Sequence, residues 1–262
     1  MKRPLTFAIL PLAVAAIVVL CSGVTHGAIQ MSVPGPANIF GAGHAVAPAP
    51  AGGGGGVLPP SYSFDAGSGK VLEFSSVTGI VWPIWPYFCG PDGYDTFPTD
   101  ISSYGGISGI VHLGSNPAAM GTADQTGRAL FLTGVFLDDN EPSVGQTPAR
   151  LDFSYGADAF LTLAPEIGQT FFIGDGLTGT GSGSVQQFYV PETATRLFLG
   201  FADAGYFIGL PGAYGSGLDP FSDNGGWLTA EFNIVPEPCS LVLWSVLGVV
   251  GVGYGWRRKR RS

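Results

Sequence analysis

The sequence predicts an all-β body, a single antiparallel β-sandwich, between an N-terminal signal peptide and a single C-terminal transmembrane helix. Three observations carry this. Residues 62–234 break into short apolar runs separated by clusters of Gly, Pro, Asp and Ser, which is the pattern of many short strands joined by turns. In the last of these runs Leu228, Ala230, Phe232 and Ile234 alternate with Thr229, Glu231 and Asn233, so one face enters a core and the other does not. No stretch of that body shows a convincing helical apolar period, whereas uncharged apolar runs stand at residues 5–20 and 239–256.

Taken in order, Lys2-Arg3 precedes the first apolar run, and small residues follow at 25–28. That arrangement predicts a signal peptide over residues 1–27, cleaved after Gly27 or Ala28. Residues 28–61 are rich in Gly, Pro and Ala, with Gly52 through Gly56 uninterrupted; without an apolar period they read as a flexible linker. The β-sandwich domain then spans 62–234. Its strand candidates are 70–81, 129–137, 160–163, 168–173, 184–190, 195–202 and 227–235. The chain closes with Val235-Pro236-Glu237-Pro238, the apolar run 239–256 and Arg257-Arg258-Lys259-Arg260-Arg261. A helix over that run is long enough to cross a hydrocarbon core of roughly 30 Å. Its glycines suit membrane helices, Tyr254 and Trp256 suit an interface, and the basic end places the C-terminus inside.

This ending resembles the PEP-CTERM sorting domain of Gram-negative bacteria, and Pro236-Glu237-Pro238 matches its motif residue for residue. The resemblance covers about the last tenth of the chain. It implies processing by an exosortase, a membrane cysteine-type transpeptidase. The protein would be exported, held in the inner membrane as a single-pass protein with its N-terminus out, and then passed to the cell surface or beyond.

Charge agrees with an outside location. The whole chain carries −8, but seven of its eleven basic residues lie at positions 2–3 and 257–261. Lys70, Arg128, Arg150 and Arg196 stand against nineteen acidic residues, a net −15 (4 − 19). Such a surface excludes nucleic acid, whose phosphates require Lys and Arg, and suits divalent cations. Of the three cysteines, Cys21 and Cys239 lie in the apolar runs and Cys89 is alone in the body. No disulfide framework or cysteine-based zinc site follows, and Cys89 reads as a small buried residue. His26 and His44 fall in the signal and linker, leaving His112 beside Val111 and Leu113 as a strand residue. With no nucleophile–base pairing, the chain is not expected to be an enzyme.

One constellation points to a ligand. Leu197, Leu199 and Phe201 share a strand face, and Asp203 continues their parity. A carboxylate placed there needs a partner. Asp223-Asn224-Gly225-Gly226 precedes the last strand. Asp203, Asp223 and Asn224, with a carbonyl from Ala213 or Tyr214, offer the oxygen donors that Ca²⁺ takes. Asp-Asn-Gly is equally ordinary turn chemistry, so both readings stand. The segment resembles the C-terminal half of the PA-I galactophilic lectin family, a jelly-roll or galactose-binding-like calcium-dependent sandwich. The resemblance implies that Asp203 is the first calcium ligand, that Asp223 and Asn224 are the paired turn ligands, and that sugar hydroxyls bind the ion. Residues 70–93 resemble that family's early strand and first calcium loop, and imply a further carbonyl from residues 87–90. The loop between Asp203 and Asp223 is longer than the family's, and no clear counterpart of its sugar-contacting residues stands in the early loop.

Other features read more plainly. Residues 174–184 form a hairpin loop, since a phosphate loop would need a following helix and a Lys. Asp138-Asp139-Asn140-Glu141 is a solvated turn closed by Pro142, or a second cation site. Trp82, Trp85 and Tyr87 make either a sugar-stacking platform or packing. The function expected is an exported, exosortase-sorted surface or matrix protein with a calcium-dependent carbohydrate-binding body. A structural exopolysaccharide or biofilm matrix protein without a specific ligand is the alternative, and a secreted hydrolase the weakest reading.

Overall fold

The computed structural model describes residues 27–48, 54–84, 86–95, 99–101, 103–114, 127–203, 208–209 and 221–236. In chain order the strands are β1 (Ile29–Pro34), β2 (Ser61–Ser63), β3 (Lys70–Ile84), β4 (Tyr87–Cys89), β5 (Thr99–Ile101), β6 (Ile110–His112), β7 (Phe131–Leu137) and β8 (Leu151–Asp152). They continue with β9 (Thr162–Leu163), β10 (Thr170–Phe172), β11 (Leu177–Gly179), β12 (Ser182–Val185), β13 (Gln187–Tyr189), β14 (Arg196–Ala202), β15 (Ile208–Gly209) and β16 (Gly225–Pro236). The described fold is all-β, with short 3₁₀ turns between strands.

The largest sheet has the order β1-β16-β3-β13-β9, with β4 on β3; a second has the order β10-β7-β14-β2. β16 shows the alternation that its sequence predicts: Leu228, Ala230 and Phe232 are buried while Thr229, Glu231 and Asn233 are half-exposed. The two sheets meet through aromatic rings. Phe171 of β10 lies 5.0 Å from Phe188 of β13, and Tyr62 of β2 meets Phe232 of β16 edge-on at 5.8 Å. Phe74 of β3 packs against both Phe188 and Phe232.

Two features differ from a plain antiparallel sandwich. β9 pairs β13 in parallel, and so do β15 with β5 and β8 with β6. In addition β5, β6, β8 and β15 form a further sheet, which packs against the second one. The ring of His112 on β6 lies 5.6 Å from Phe131 and 5.8 Å from Phe172. Phe171 and Phe172 thus serve opposite faces of one strand, and every residue of β7 is buried. A strand covered on both faces reads as a continuous apolar run, which Phe131-Leu132-Thr133-Gly134-Val135-Phe136-Leu137 is. Gly134 is needed there because a Cβ would overlap the Phe171 ring.

The linker reading of residues 28–61 is corrected by the structure. β1 pairs β16 over its full length, from Ile29 opposite Phe232 to Pro34 opposite Trp227. Asn38 then caps the 3₁₀ turn Ile39–Gly41, its side-chain oxygen accepting from the Phe40 N–H at 3.0 Å. Its amide donates to the carbonyls of Pro48 and Gly55, each at 3.1 Å. Ala37, Ile39, Phe40 and Ala42 are buried. His44, expected in a linker, pairs its Nδ1 with Glu141 at 3.0 Å. Dense Gly and Pro concealed a strand whose inward signal is only Met31 and Val33. The compact unit accordingly runs from Gly27 to Ile234, not from residue 62. The second unit, Met1–His26 with Val235–Ser262, holds the expected signal peptide, Glu237, Pro238, the apolar run and the basic residues 257–261. Apart from Val235 and Pro236 it lies outside the described residues. Among the described residues no helix is long and apolar enough to cross a membrane.

Candidate functional site

Asp203 follows β14 directly and is buried, 5 % exposed. Cys89, opposite Val81 in the β3–β4 pair, is a near neighbour. Burial first, and the Asp203 charge second, push its thiol up to about 12. Asn224 is buried just before β16 and donates its amide to the Gly35 carbonyl at 3.4 Å. Two residues on, the Ala37 carbonyl accepts from the Phe201 N–H at 2.8 Å. Residues 35–37 therefore connect the end of β14 to the start of β16, and bring Asp203 and Asn224 to one end of the fold.

Asp223 is exposed, in a turn whose Phe221 is buried and whose Ser222 hydroxyl accepts from the Gly56 N–H at 3.3 Å. Tyr214 and Ala213 lie outside the described residues. Among the described residues no group of three or more His, Cys, Asp or Glu side chains could hold a metal ion. The oxygens of Asp203 and Asn224 are of the hard kind that calcium prefers, but a shell needs about six to eight. Among the described residues, the side chains that would complete such a shell are not brought together. In the early loop, the Gly90 carbonyl already accepts from the Gly93 N–H at 3.1 Å. Trp82 is half-buried, with its indole against Gly225 and Gly226 and its ring edge-on to Phe88 at 5.5 Å. Tyr87 is 50 % exposed and Trp85 lies outside the described residues.

A second polar cluster joins residues far apart in sequence. His112 Nε2 lies 3.4 Å from an Asp158 carboxylate oxygen, and the Arg128 guanidinium forms an ion pair with the same oxygen at 3.1 Å. Arg128 Nε donates to Asp95 at 2.9 Å. Three local devices set these positions. The Leu113–Gly127 bridge brings the end of β6 beside Arg128. The Ser154 hydroxyl accepts from the Leu113 N–H at 2.8 Å, and the Tyr155 N–H reaches the Leu113 carbonyl at 3.1 Å. Burial raises the Asp158 carboxyl, but the His112 hydrogen bond and the Arg128 and His112 charges outweigh it, and the net direction is down. Asp95, His112, Arg128, Tyr155 and Asp158 border a cleft of about 340 Å³. Sequence reasoning placed His112 alone on a strand; its partner comes 46 residues later, beyond any local pattern.

The remaining polar features have structural roles. Asp175 shapes the β11–β12 hairpin by accepting from the Leu177 and Gly181 N–H groups at 2.9 and 2.6 Å. Its own N–H donates to Asp92, whose carboxyl is raised by burial and then by the Asp175 charge. Asp138 closes its turn by accepting from the Asn140 N–H at 2.9 Å, while Arg196 donates to the Asp138 and Asn140 carbonyls. No family model, no curated protein and no solved structure matches this chain.

Proposed function

We propose that this chain is an exported bacterial surface or extracellular-matrix protein, sorted by an exosortase and carrying a β body that binds carbohydrate with the help of Ca²⁺. The observation that carries the sorting half is linear. Val235-Pro236-Glu237-Pro238, an uncharged run and five basic residues stand in that order, the first two residues closing the strand that ends at Pro236. On this reading the apolar run holds the chain in the inner membrane, N-terminus out, until the exosortase cuts near the motif. The body then reaches the cell surface, and its net negative charge keeps it in solution there.

The binding half rests on the buried Asp203 and on Asn224 at the same end of the fold. Calcium would sit against Asp203, with Asn224, Asp223 and Tyr214 as further oxygen donors, and sugar hydroxyls would complete its shell. We read the sheets β1-β16-β3-β13-β9 and β10-β7-β14-β2 as the layers of a galactose-binding-like sandwich whose loops carry this end. A structural matrix role without a specific ligand is the second reading. It is favoured by the incomplete oxygen set among the described residues. Thermal unfolding of the purified chain separates the two: millimolar Ca²⁺ raises Tm in the wild type and not in Asp203→Ala. A glycan array washed with chelator then reads the sugar. No calcium shift in the wild type removes the calcium site and leaves the matrix role.

A further inference from the structure

We propose that the cleft bordered by Asp95, Arg128, Tyr155 and Asp158 is a calcium-independent binding site for a neutral polyhydroxylated ring, a sugar residue of a polysaccharide. It shares only its ligand class with the proposed function and needs neither Asp203 nor a metal. Charge narrows the occupant first. Two carboxylates flank one guanidinium, so the cleft has no net positive charge whether His112 is protonated or not. A phosphate, sulfate or uronate meets no excess of cations there. Nor does a metal ion suit it, because Arg128 occupies the carboxylates at 2.9 and 3.1 Å and no metal-holding group of three stands among the described residues.

What remains is a neutral ligand that both donates and accepts. Asp95, Arg128 and Asp158 present acceptor, donor and acceptor in a row, and vicinal hydroxyls match such a row because each can give and take a hydrogen bond. The row is pre-set. Asp158 is fixed by His112 as well as Arg128, and Arg128 also reaches the Thr180 hydroxyl at 3.5 Å. Tyr155 supplies an apolar surface: it is 49 % exposed and is held in a left-handed conformation, φ 57°, beside Gly156 at φ 88°. An aromatic face next to paired polar groups suits the C–H face of a pyranose. The cleft, about 340 Å³, has room for a ring together with part of a neighbouring one.

The test is binding of the full chain in detergent to an array of neutral galactose-, glucose- and mannose-based oligosaccharides and their sulfated counterparts, with and without excess EDTA. Two variants avoid the buried groups. Asp95→Ala removes a largely exposed acceptor, and Tyr155→Asn removes the ring while keeping a residue that tolerates positive φ. We expect a neutral glycan to bind equally with EDTA present, and each variant to weaken it by about tenfold without a change in Tm. A blank array, a preference for the sulfated forms, or EDTA-resistant binding unchanged in both variants overturns the proposal. Binding abolished by EDTA yet untouched by Tyr155→Asn also overturns it and assigns the sugar to the Asp203 end instead, so the two readings fail separately.

Discussion

Asp158 pairs with both Arg128 and His112 inside one cleft, so protonating it weakens two interactions together. Its folded carboxyl lies below the ordinary range, and the stabilisation is therefore fully present above the unfolded carboxylate pKa of about 3.9 and lost as pH falls through the folded value. Asp158→Asn should lower Tm at neutral pH and flatten its fall in acid; parallel curves for wild type and variant would contradict this. Asp92 has the opposite sign. Its raised carboxyl means that the ionised form opposes folding, a cost that grows as pH rises from the unfolded value through the folded one. Cys89 gives a simpler reading: a thiol pushed up to about 12 should resist thiol reagents at pH 8 in the native protein and react after denaturation. Labelling of native Cys89 at the rate of a free thiol would refute its buried setting. At this scale the parity of Asp203 with Leu197, Leu199 and Phe201 was legible, but not its burial, because β14 is buried on both faces from Leu197 to Ala202. Nor was its closeness to Cys89, because it depends on how β4 folds back on β3.

Among the elements, β1 and the turn after it matter most. β1 hydrogen-bonds to β16 over six residue pairs, and the buried Asn38 satisfies three backbone groups. Asn38→Ala leaves those groups unpaired and should cost about 2–3 kcal/mol in denaturant unfolding; a cost near zero would mean that water replaces the side chain. A chain beginning at residue 62 should fail to unfold cooperatively, while one beginning at residue 27 should do so. Equal cooperativity in both would restore the linker reading. Long periodic runs were readable from sequence, as β3, β7, β14 and β16 show. Of the short strands β5, β6, β8 and β15 only the one at His112 was read as a strand, because two or three residues carry no period and their pairing is set by chain that returns from elsewhere. β1 was hidden by composition: Pro34, Gly35 and Pro36 mark a turn but say nothing of the strand before it.

At the scale of the molecule, the negative body and the basic tail divide the chain by charge, and the proposed export takes the first as the outside part and the second as the inner end of a membrane segment. The fold adds that β16 lies between β1 and β3 and ends at Pro236, so the proposed sorting motif opens on the last two residues of that strand. The all-β class was legible, because turn residues punctuate the whole body. The additional sheet over β7 was not, since its cover comes from strands too short to announce themselves. Delivery is the central claim, and intact-mass measurement of the protein recovered from the surface of exosortase-bearing cells tests it most directly. The account predicts a mature chain that begins near residue 28, ends near Pro236-Glu237-Pro238 and lacks Arg257-Arg258-Lys259-Arg260-Arg261. A surface form that retains those five residues would contradict it.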